Sequence, residues 1–188
     1  RGGPAVRIFL VDGNHDDHAH LRRLSEANRL GPTFPVDAMA RWQMFRRGRA
    51  IEIGDIRIAG CGGNPHGGGK HPPKPRHIAD ADYDALAVAG PSHVRITHEA
   101  PPGVLPLREG REAPGDPRLL EAAKKIQPLW WIFGHHHHQI GPVEVPGLAR
   151  CRAVGMGIFT REWKWNRMGL LGLLSFEADR NGTWEWIT

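Results

Sequence analysis

Three short apolar runs, each ending in a polar cluster, constrain this chain more than any other feature. Val6-Arg7-Ile8-Phe9-Leu10-Val11 leads into Gly13-Asn14-His15-Asp16, and Val94-Arg95-Ile96-Thr97 into His98-Glu99-Ala100-Pro101-Pro102. Leu129-Trp130-Trp131-Ile132-Phe133 leads into Gly134-His135-His136-His137. Runs this short, rich in β-branched and aromatic residues, read as buried strands. Asp80–Ala89 and Asp116–Gln127 read as helices ahead of the second and third runs, a βαβ rhythm that predicts an α/β fold. Ligands of open α/β sheets bind beyond the carboxyl ends of the strands, so the three clusters are expected to converge at one rim.

The remaining chain is organised around these anchors. Asp16 to Asn28 has acidic residues at its start and leucines at Leu21 and Leu24, which predicts a helix leaving the first cluster. Ala50-Ile51-Glu52-Ile53 and Ile56-Arg57-Ile58-Ala59 alternate apolar and polar residues around Gly54-Asp55, a two-residue hairpin signal. Asn64 to His77 is rich in Gly, Pro, His and Lys and predicts a long exposed loop. Ala149–Val154, Leu170–Phe176 and Thr183–Ile187 read as later strands.

With 188 residues, 40% of them hydrophobic, the chain can bury one ordinary core, so residues 1–188 are expected to form a single domain. The net charge of +5 suits anionic ligands, but the arginines are spread out and favour a solvated surface over a nucleic-acid groove. No apolar run approaches the roughly 18 residues of a membrane span. Cys61 and Cys151 lack metal-type spacing and read as buried packing residues, which favours a reducing, cytoplasmic setting.

The clusters carry the chemistry. His135 and His137 are two residues apart, and extended backbone would point both imidazoles to one side. His136 and His138 would then face outward, to solvent or to an outer ring of contacts. Imidazole with amide or carboxylate oxygen suits zinc, manganese or iron better than calcium. The histidine run is internal and follows a buried-type strand, so it does not read as an expression tag. His15 stands beside Asp16, a carboxylate able to fix its tautomer and raise its basicity, as a proton donor requires. Asp16 or Asp17 also suits a helix N-cap.

Gly13-Asn14-His15-Asp16, Thr97-His98-Glu99-Ala100-Pro101-Pro102 and Gly134-His135-His136-His137 resemble the third, fourth and fifth signature motifs of the calcineurin-like metallophosphoesterases. Ile51 to Gly63 also resembles the strand and glycine turn that this family places after its Asn-His motif. The resemblance implies a layered metallophosphoesterase-type β-sheet core flanked by helices. It implies that Asn14, His98 and His135 bind one divalent ion, that His137 binds a second, and that His15, oriented by Asp16, protonates the leaving oxygen. It further implies hydrolysis of phosphomonoesters or phosphodiesters by two ions, manganese, iron or zinc, that activate a water between them. The substrate is then a phosphoester, with nucleic acid one candidate.

The family's first two motifs, Asp-x-His and Gly-Asp-x-x-Asp, should precede Gly13, and only twelve residues stand there. The expectation is a domain lacking its N-terminal strands, completed by a missing segment or a partner chain, and able by itself to hold one ion at most. A degenerate, non-catalytic binding module is the alternative. A third reading is a basic nucleic-acid-binding module using Trp163, Lys164, Trp165, Asn166 and Arg167.

Overall fold

The computed structural model describes residues 6–66, 72–105, 115–137, 139–157, 171–177 and 181–187. Residues 163–167, the basis of the nucleic-acid reading, and His138 lie outside the described residues. The fold is mixed α/β. In chain order the elements are β1 (Ile8–Leu10), α1 (His18–Ala27), β2 (Thr33–Pro35), β3 (Trp42–Phe45), β4 (Arg49–Ile53) and β5 (Ile56–Cys61). They continue with α2 (Asp80–Ala87), β6 (Val94–Thr97), α3 (Pro117–Ile126), β7 (Trp130–Phe133), β8 (Ile140–Glu144), β9 (Arg152–Gly155), β10 (Leu171–Phe176) and β11 (Gly182–Ile187).

The main sheet has six strands in the order β4-β5-β6-β7-β9-β8. Its four central strands are parallel, and β4 and β8 pair antiparallel at the two edges. Two crossovers through α2 and α3 deliver β6 and β7, the βαβ rhythm read from the sequence. The expected hairpin pairs Ile53 with Ile56 across Gly54-Asp55, with Gly54 at φ +57°.

Side-chain alternation divides the sheet between two cores. Ala59, Cys61, Trp131, Phe133 and Ala153 face α2 and α3, where they meet Tyr83, Leu86, Leu119, Ala123 and Ile126. On the opposite face Val94, Trp130 and Val154 pack with Ile58, Ile96 and Ile132 against the β10–β11 hairpin, which supplies Leu174, Phe176, Trp184 and Trp186. Both cysteines are buried and unpaired, and burial pushes their thiols up to about 12. Arg95 is buried on the helix side, its guanidinium 4.2 Å from the Trp131 ring.

One expectation needs correction. The Val6–Val11 strand does not join the main sheet; it is shortened to Ile8–Leu10 and pairs parallel with β3 in a separate sheet of order β1-β3-β2. The cause is β3, a strand that the sequence pattern did not announce, whose Phe45 packs flat against Gly60 of β5. Any side chain at Gly60 would overlap that ring. The small sheet is thereby seated against the main one, and β1 ends close to the ends of β5, β6 and β7.

Candidate metal-binding site

The loop after β1 is fixed by a buried carboxylate. Asp12, 6% exposed, accepts from Arg47 Nε at 3.2 Å and from Arg47 Nη2. Arg47 also donates to the His77 carbonyl at 2.6 Å and the Pro75 carbonyl at 3.0 Å, and lies 3.6 Å from the Asp82 carboxylate. Burial opposes its charge, but the Asp12 hydrogen bonds and the two carboxylates outweigh it and hold the Arg47 pKa above its ordinary value. The Asp12 carbonyl accepts from Gly63 N at 2.7 Å, where a Cβ at Gly62 would collide with the Asp12 backbone. Two close glycine approaches therefore bring the first cluster to the end of β5.

From that anchor Asn14 reaches the second cluster. His98 Nε2 lies 3.0 Å from Asn14 Oδ1, and its ring sits so near Gly13 that a Cβ there would approach to 2.7 Å. The third cluster adds His135, whose ring centroid is 4.7 Å from that of His98. Gly134 N donates to the His98 carbonyl at 3.2 Å, tying the loops after β6 and β7 together. Asn14, His98 and His135 thus stand side by side, half-buried, at the carboxyl ends of β1, β6 and β7.

Three residues that the sequence reading left outside the site belong to the same cluster. Glu99, 5% exposed, accepts from His136 Nε2 and from the Ala100 N–H at 2.9 Å, and its other oxygen lies 3.8 Å from His135 Nε2. Asn64, from the glycine turn after β5, places Nδ2 3.4 Å from His135 Nε2, while its buried Oδ1 has no hydrogen-bond partner among the described residues. Glu99, His135 and His136 each offer one ligand atom, all within 4.8 Å of one another.

The expected extended His135–His137 geometry is not present. His135 and His137 both adopt left-handed backbone, φ +61° and +60°, so the chain turns immediately after Gly134. Period-2 alternation does not survive such a turn. His136 consequently swings inward onto Glu99, and His137 is exposed without a hydrogen bond to the site residues described. His15 is exposed at the loop tip, near enough for its charge to weigh on His135. Asp16, expected to orient His15, accepts instead from Gly13 N at 2.6 Å and shapes the loop, while Asp17 caps α1 by accepting from His20 N at 2.9 Å.

The electrostatics favour uncharged imidazoles beside one charged carboxylate. Burial, then the neighbouring His135, pushes the His98 pKa down to about 4. Burial also lowers His135, against the opposing pull of Glu99. For Glu99, burial works against ionisation, but the hydrogen bonds from His136 and Ala100 and the adjacent imidazoles hold it below the usual carboxylate range. Neutral imidazole lone pairs next to a carboxylate are the donor set of a divalent transition-metal site. No protein-family model matches this chain, and no curated protein matches it in sequence.

Proposed function

We propose that this chain carries the site of a metal-dependent phosphoester hydrolase of the calcineurin-like type, with Asn14, His98 and His135 around the ion. The observation that supports this reading is the meeting of those three residues from three separate strand ends, 3.0 Å from Asn14 Oδ1 to His98 Nε2 and 4.7 Å between the two imidazole rings. Two donors each about 2.1 Å from one ion and at right angles to each other lie about 3.0 Å apart, so the Asn14–His98 pair fits as adjacent ligands. A bound ion would lower the pKa of a water and draw charge from a phosphoryl oxygen.

The chain's own residues do the rest. Burial holds the His98 and His135 pKa values below the usual imidazole range, which favours lone-pair donation, Gly13 leaves the room that the His98 ring occupies, and Asp16 holds the loop that presents His15. On this reading the exposed His15 imidazole gives an N–H proton to the departing oxygen. Glu99 is the one carboxylate that stands against the histidines of the ligand cluster among the described residues. We therefore assign these residues one ion. The second ion and its bridging carboxylate, with His137 as a ligand, are assigned to the assembly with a segment or partner chain carrying Asp-x-His and Gly-Asp-x-x-Asp.

Turnover of alkyl and nitrophenyl phosphoesters, measured with added manganese in that completed assembly, tests the reading. His15→Ala should lower alkyl-ester turnover by about 100- to 10,000-fold, the usual contribution of a general acid, and nitrophenyl-ester turnover far less. Turnover that survives chelation, or equal losses on both ester types, would overturn the assignment.

A further inference from the structure

The geometry points to Glu99 and His136 as direct ligands of the ion, together with His135. This rests on the reading that the strand-end cluster holds a divalent ion, and it changes which residues hold it. Glu99 is buried and points both oxygens at imidazoles, one at His136 Nε2 and the other 3.8 Å from His135 Nε2. The three donor atoms lie within 4.8 Å of one another, whereas His137 turns outward on left-handed backbone.

Two imidazoles and a glutamate are a ligand set that zinc accepts in catalytic sites, where three protein donors leave a fourth position open. His98, its ring 4.7 Å from His135, and Asn64, whose buried Oδ1 is unpartnered among the described residues, border that open side. Borderline ions such as zinc and cobalt match these nitrogen and oxygen donors, and calcium does not. A purely structural Glu99–His136 pair that pins the loop is the competing explanation, and it makes different predictions.

The full 188-residue chain, stripped with a chelator, is titrated with zinc by calorimetry and with cobalt by visible absorption. One equivalent is expected. Glu99→Gln and His136→Gln should each weaken binding by more than about 100-fold, beyond the 10- to 100-fold typical of an outer partner of a ligand, and should alter the cobalt spectrum. His136→Gln retains a donor for Glu99, and far-UV circular dichroism checks that each variant is folded. It would therefore spare a merely structural pair while removing a ligand. Unchanged affinity and cobalt spectrum in both variants, with binding lost in His98→Ala and His135→Ala, would overturn this ligand set and leave the proposed site standing. A wild-type chain that takes up neither ion would overturn both.

Discussion

At the scale of single residues, the site depends on one missing side chain as much as on those present. Gly13 has ordinary backbone, so alanine is sterically barred there only by the His98 ring, at 2.7 Å from the added Cβ. That ring can rotate away, whereas at Gly62 a Cβ would meet the Asp12 backbone itself. Gly13→Ala should therefore cost no more than about 1–3 kcal/mol of stability. It should also weaken ion binding about 10- to 100-fold by displacing His98 from Asn14. Thermal melts with and without zinc separate the two effects, and undiminished stabilisation by zinc would contradict the placement of His98.

Asn14, His98 and His135 were legible in the sequence because each follows an apolar run, and strand ends converge in a parallel sheet. Glu99 stood in the second cluster without a role, since the motif gave the metal to its neighbour His98. His136 was assigned outward because alternation was carried past Gly134, where the backbone becomes left-handed. Asn64 carried no signal at all: its approach to His135 exists only once β5 and β7 share a sheet.

At the scale of elements, Arg47 is the tie that holds the first cluster in place. It joins the end of β1 through Asp12, the long loop through the Pro75 and His77 carbonyls, and α2 through Asp82. Arg47→Met would leave buried Asp12 with only the His18 imidazole, 3.5 Å away, a loss of up to about 3–5 kcal/mol where one partner of a buried ion pair is removed. Urea unfolding of Arg47→Met, Asp12→Asn and the double variant checks this. The double variant should lose less than the sum of the two singles, because the second change removes the orphaned charge. Strict additivity would show that the pair is not coupled.

The elements differed in how clearly the sequence announced them. The β4–β5 hairpin, α2, α3, β6 and β7 were readable from alternation, caps and spacing. β2 and β3 were not, because Thr33–Pro35 ends in proline and Trp42–Phe45 has glutamine within a four-residue strand. Tertiary contact makes them strands: Phe45 lies on Gly60 and 5.9 Å from Phe9. Missing β3 placed β1 in the wrong sheet, although it left the destination of its loop correct.

At the scale of the whole molecule, a mixed sheet with a parallel centre is covered by two helices on one face and by a tryptophan-bearing hairpin on the other, and the chemistry gathers at its rim. No described helix is long and apolar enough to cross a membrane. The βαβ rhythm carried the main sheet and with it the meeting of the second and third clusters, while the first cluster arrives from the separate β1-β3-β2 sheet. The buried Arg95 was not foreseeable, because its run reads as an ordinary alternating strand until both faces are known to be covered. Crystals of the chain soaked in zinc or manganese, with diffraction recorded on both sides of the metal absorption edge, show whether the strand-end cluster holds an ion. One anomalous peak per chain is expected, about 2.0–2.3 Å from the His135 imidazole nitrogen and bordered by His98 and Glu99. No peak there, or peaks only at exposed histidines such as His20, would contradict the proposed site.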